Sequence, residues 1–116
     1  MAEWWEESYI YIARTGDTYY KVGRSQNPKA RVKEMQVGCP LEISLEFVAG
    51  PMTHDHAVGL ERMVLADLEE FVVRGEWHTL GADVLEDTKD SLADYVEDLQ
   101  CRYSSSGAPV FEARCD

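Results

Sequence analysis

"YIYIARTGDTYYKVGRS", residues 9–25, decides the fold. Two runs rich in Tyr, Ile and Val, at 9–14 and 19–24, flank the turn-forming "TGDT", which is the pattern of a strand, a turn and a returning strand. Loop length sets which side chains share a face. A two-residue Gly-Asp loop would put Val22 with Tyr11, and Lys21 with Ile10 and Ile12. An odd-numbered loop instead gathers Ile10, Ile12, Tyr20 and Val22 on one face and Tyr9, Tyr11, Lys21 and Gly23 on the other, because a one-residue slip exchanges the faces. The odd loop leaves one face wholly apolar, so it is the expected one.

Working outward, Asn27-Pro28 is a helix start, since Asn accepts a free amide hydrogen bond and Pro suits the first turn; the helix should run to Val37 and stop at Gly38. "LEISLEFV", 41–48, alternates Leu41, Ile43, Leu45 and Phe47 with Glu42, Ser44, Glu46 and Val48, which predicts a third strand with one buried face. "GPMTHD" reads as a loop. A helix over about 55–72 carries Ala57, Leu60, Val64, Leu65, Leu68 and Val72, and "RGEWHTL" reads as a turn with one short extended piece. Asp83 and Glu86 make a capping-box pattern for a last helix, 83–100, with Leu85, Leu92, Val96 and Leu99 along one stripe. The predicted fold is α+β, a small three-stranded antiparallel sheet flanked by three helices in the order β-β-α-β-α-(β)-α. Residues 1–103 should form a single domain and 104–116, opening with "SSSGAP", a flexible tail.

A length of 116 residues suits one domain with its own core. No run of about 18 apolar residues occurs, and "MAEWWEES" lacks the features of a secretory leader. Cys39, Cys101 and Cys115 share no metal-type spacing and are odd in number, so a reducing cytoplasm with no membrane attachment is expected. Net charge is -11, which on average disfavours a phosphate-rich partner. The average hides a dipole. Residues 8–38 hold Arg14, Lys21, Arg24, Lys29, Arg31 and Lys33 against Asp17 and Glu34, a net +4, whereas 81–100 hold seven acids against Lys89.

Glu61 stands out because its helical neighbours are Ala57, Val58, Val64 and Leu65. A carboxylate on an apolar helix face must pair, protonate or bind a cation, so the alternatives are an ion pair with Arg31 or a metal site. Arg31 lies one turn into the first helix, near Lys21 and Arg24, where guanidinium and ammonium groups together suit a phosphate. Tyr9 and Tyr11, on the face of Lys21, are candidate proton acceptors or simple packing residues. His54 and His56 belong to the expected loop before the Glu61 helix, and Trp77 and His78 are expected to close the core.

Taken together these residues resemble the GIY-YIG nuclease superfamily, in its small phage-type branch, over residues 9–80. "YIYI" stands at the family's first motif and "YKVGRS" at its second; Arg31 follows Gly23 by the family's interval of eight, Glu61 falls on the helix of the metal-binding glutamate, and "GEW" ends the match. Tyr9 replaces the glycine of the first motif and Lys21 the tyrosine of the second. The resemblance implies a metal-dependent endonuclease, acting on DNA more than RNA, with catalytic Tyr9, Tyr11, Lys21, Arg31 and Glu61. Glu61 would hold magnesium or manganese, and Gly23, Arg24, Ser25 and Lys29 would meet the nucleic-acid backbone. A different class is an inactive module of the same fold that binds nucleic acid, or uses helix 83–100 to bind a basic protein as a DNA mimic. Oligomeric state is left open.

Overall fold

The computed structural model describes residues 7–16 and 18–103. Strand β1 (Glu7–Thr15) pairs antiparallel with β2 (Tyr19–Ser25), helix α1 (Pro28–Val37) follows, and β3 (Ile43–Thr53) returns against β1. Helix α2 (His54–Asp67) and a 3-10 turn (Glu69–Phe71) lead to β4 (Val72–Arg74), β5 (Trp77–Thr79) and helix α3 (Ala82–Tyr103). The sheet order is β3-β1-β2-β5-β4. The tail expected at 104–116 lies outside the described residues.

Thr15 faces Tyr19, so three residues join β1 to β2 and the loop is odd, as the face pattern requires. Ile12 opposes Val22 and Tyr11 opposes Gly23. Ile10, Ile12, Tyr20 and Val22 accordingly join one core with Ala57, Leu60 and Val64 of α2, Leu68 at its C-cap, and Leu85, Leu92, Val96 and Leu99 of α3. Tyr11, Ala13, Val32 and Ile43 form a second, smaller core beneath α1. The sheet is thus covered on both faces.

The structure corrects several expectations. The sheet has five strands rather than three, because α2 ends at Asp67 and β-branched Val72 and Val73 start a hairpin instead of continuing the helix; Gly75, at φ +57, makes its tight turn. Strand β3 runs to Thr53 through "GPMT", and its register shifts at Glu46, an extra residue that sends Leu45 to the α1 face and Phe47 to the other. It therefore has two buried faces, not one. Helix α3 begins at Ala82 with Leu85 N–H donating to the Gly81 carbonyl at 3.0 Å, which leaves Asp83 inside the first turn, where it complements the helix dipole, rather than at a capping box.

Asn27 caps α1, its side chain accepting from the Ala30 N–H at 3.1 Å. Thr53 does the same for α2 by accepting from His56 N–H, and His56 Nδ1 lies 2.9 Å from the Thr53 hydroxyl; His54 and His56 are in a helical first turn, not a loop. Lys89 of α3 donates to Glu46 at 2.8 Å and ties the helix to β3. The Glu46 hydrogen bond raises the Lys89 pKa above its ordinary 10.5. A raised folded-state value means that this contribution is complete below 10.5 and fades as pH climbs through the folded value. Melting temperature should therefore fall more steeply in strong alkali for wild type than for Lys89→Met, and parallel slopes would show that the tie contributes nothing.

Candidate active site

Strand β5 pairs with Tyr19, Tyr20 and Lys21 of β2; beyond Lys21, among the described residues, no strand covers that edge of β2. This step lets side chains from both faces of the sheet meet. Tyr11, Lys21 and Gly23 come from the α1 side of the hairpin, Arg31 from α1, Arg24 and Glu61 from the α2 side, and Glu76 from the β4–β5 turn. The seven line one polar cleft of about 220 Å³.

Tyr11 is 1% exposed, its ring laid across Gly23. A Cβ at position 23 would stand 2.6 Å from the Tyr11 hydroxyl oxygen and 2.7 Å from Cζ, so only glycine leaves room for the ring. Gly23→Ala should push the tyrosine out of place and cost about 1–3 kcal/mol, the usual penalty of overpacking, read as a lower urea midpoint. An unchanged midpoint would show that the ring moves freely.

Each cation of the cleft meets a carboxylate. Lys21 Nζ donates to Glu76 Oε1 at 2.8 Å, Arg24 Nε to Glu61 Oε1 at 3.1 Å, and Arg31 Nη1 to Glu34 Oε1 at 3.1 Å. Glu34, and next the Tyr11 hydroxyl, raise the Arg31 pKa, so its charge is fixed. Lys21, chiefly through its hydrogen bond, and more weakly Arg31 lower the Glu76 pKa. Glu61 does not pair with Arg31, the partner weighed from sequence; α1 and α2 cover opposite faces, and Arg24, on the α2 side of β2, is the nearer cation. Nor is Glu61 buried in the apolar core, since its side chain is 22% exposed at the cleft.

Three of the sequence-predicted residues lie elsewhere. Tyr9 packs over Gly50 and does not line the cleft. The Ser25 hydroxyl accepts from the Asn27 N–H at 2.9 Å and shapes the β2–α1 connection. Lys29 is exposed on α1, outside the cleft lining. Glu76 was not anticipated. The only signal for it was that Lys21, on a face shared with Tyr11, needed a partner, and "GEW" supplied one across the sheet. Trp77 packs against the Tyr11 cluster and His78 is 2% exposed, so both serve packing.

A divalent cation fits this donor set in a limited sense. Among the described residues no group of three or more His, Cys, Asp or Glu gathers to form a protein cage. One carboxylate completed by water and substrate phosphate oxygens is nevertheless a common arrangement for magnesium, and Glu61 opens onto the cleft.

Fold and cleft define a small α+β domain whose sheet step presents three cations and two carboxylates around a tyrosine hydroxyl, a set suited to a phosphate ester. The model of the T5orf172 domain matches residues 8–93, most of the chain. This chain belongs to that family, a phage-associated domain related to nuclease modules. No curated protein and no solved structure matches it. Among the described residues no helix is long and apolar enough to cross a membrane.

Proposed function

We propose that the protein is a metal-dependent endonuclease of the GIY-YIG type that hydrolyses phosphodiester bonds, in DNA rather than RNA. The observation that carries this reading is convergence: Tyr11, Lys21, Arg24, Arg31 and Glu61, which come from two strands and two helices, share one cleft.

Each residue has a distinct task. The Tyr11 oxygen serves as the general base for the attacking water, whose oxygen forms the new bond to phosphorus as its proton passes to that base and the bond to the leaving sugar oxygen breaks. Lys21 and Arg31 supply positive charge at the same place, and the planar Arg31 fork stabilises the charge that grows on the phosphoryl oxygens. Glu61 and the substrate's phosphate oxygens would hold magnesium or manganese, which when bound supplies Lewis-acid charge. Arg24, whose Nε donates to Glu61, lines the same cleft and is placed to meet a phosphate oxygen. Gly23 keeps the tyrosine seated.

The test is a substrate panel of supercoiled plasmid, single-stranded DNA and RNA, each incubated with magnesium, manganese or EDTA. Cutting of DNA in either metal and none in EDTA supports the reading. Tight binding with no cutting in any metal would instead favour an inactive nucleic-acid module. Capture of a basic protein by α3, whose Asp83, Glu86, Asp87, Asp90, Asp94, Glu97 and Asp98 are all exposed, would favour the DNA-mimic alternative.

A further inference from the structure

We propose that Glu76 competes with the substrate for Lys21: its carboxylate occupies the lysine ammonium in the free protein, and a backbone phosphate of nucleic acid binds there by displacing it. This deepens the nucleic-acid reading of the cleft and rests on it.

The two partners differ in how firmly they are held. Lys21 lies along the sheet with its side chain 12% exposed, whereas Glu76, on the two-residue turn between β4 and β5, is 71% exposed. Their 2.8 Å bond therefore joins an anchored cation to a carboxylate that stands mostly in water. Ion pairs with one solvated partner contribute little, so exchanging the carboxylate for a phosphate costs little as well. Lys21 and Arg31 both draw Glu76 toward its anionic form, which keeps the competitor charged at neutral pH.

The other carboxylates in and beside the cleft are committed elsewhere. Glu61 stands opposite Arg24, and Glu34 pairs with Arg31 along a single helix at a spacing of three. Glu76 reaches in from a turn, and it meets Lys21, a strand cation that shares a face of the sheet with Tyr11 and Gly23. An anion at that place also repels any phosphate that does not sit squarely on Lys21. The pair thus lowers affinity for nucleic acid in general and leaves binding to depend on occupation of the Lys21 position.

The experiment compares wild type, Glu76→Gln and Glu76→Ala for binding labelled single-stranded and duplex oligonucleotides in EDTA, by fluorescence anisotropy, with melting curves to confirm folding. Both variants should bind about three- to tenfold more tightly, and the gain should vanish when Lys21→Ala is added, because the carboxylate acts through that ammonium. Equal or weaker binding by the Glu76 variants, or a gain that survives Lys21→Ala, overturns the proposal. Inorganic phosphate, titrated while the Lys21 and Gly23 amide resonances are followed, separates the two layers. If wild type binds no oligonucleotide, the nucleic-acid reading fails; tighter phosphate binding by Glu76→Gln still upholds the exchange at Lys21, and unaltered phosphate binding overturns it.

Discussion

Arg31→Ala is expected to reduce cleavage by on the order of 10³-fold while leaving the fold and its melting temperature close to wild type, because a guanidinium that meets a phosphoryl group in its transition state carries an effect of that size. The structure separates the two outcomes. Arg31 is 46% exposed on α1, and its partner Glu34 is another exposed residue of the same helix. Such pairs add little to stability. What Arg31 does have is position: it sits one turn from the Asn27 cap and beside the Tyr11 hydroxyl, and its pKa is raised, so its charge does not vary across the working range of pH. Arg31→Lys should recover only part of the rate, since an ammonium cannot present the planar fork. Full activity in Arg31→Ala would remove this residue from the mechanism, and parallel loss of activity and melting temperature would reduce it to a structural role.

Tyr11→Phe should lower the rate by about 10²- to 10⁴-fold, the range for a positioned general base. The substitution removes one oxygen and keeps the ring that fills the small core under α1 with Val32 and Ile43. Far-UV circular dichroism and melting should therefore change little. The same substitution at Tyr9 should leave the rate near wild type, because Tyr9 packs over Gly50 and lies outside the cleft lining. This contrast decides between two tyrosines that the sequence alone left equivalent. A large loss in Tyr9→Phe with none in Tyr11→Phe would reverse the assignment.

Some of this arrangement was legible in the sequence, and the reasons are specific. The hairpin register followed from alternation, since one loop parity gives an apolar face and the other mixes Lys21 with Ile10 and Ile12. Both ends of α1 were written in Asn27, Pro28 and Gly38, and the α3 stripe in Leu85, Leu92, Val96 and Leu99. The β4–β5 hairpin was hidden because Val72 falls at helical spacing from Leu65 and Leu68, and periodicity cannot show where a helix yields to a strand three residues long. Glu46 was hidden for a related reason: a bulge adds one residue without a composition signal, so the alternation from Leu41 to Phe47 suggested a single buried face.

The candidate site was legible as residue types and obscure as partners. Lys21, Arg24, Arg31 and Glu61 were chosen for their chemistry and their spacing, but which carboxylate meets which cation depends on the step in the sheet where β5 ends beside β2. That step is a long-range feature, because strand β5 follows β2 by more than fifty residues. It also accounts for the basic hairpin of an acidic protein. The cations are gathered at one place and each is balanced by a carboxylate.

The most direct measurement is the cleavage of supercoiled plasmid by wild type and by Glu61→Gln, at equal concentration, in magnesium and in EDTA. With the metal held by Glu61, the mechanism gives nicked and linear DNA from wild type in magnesium alone, and intact plasmid from the folded variant under both conditions. Intact plasmid with wild type in magnesium, or equal cutting by Glu61→Gln, would contradict it.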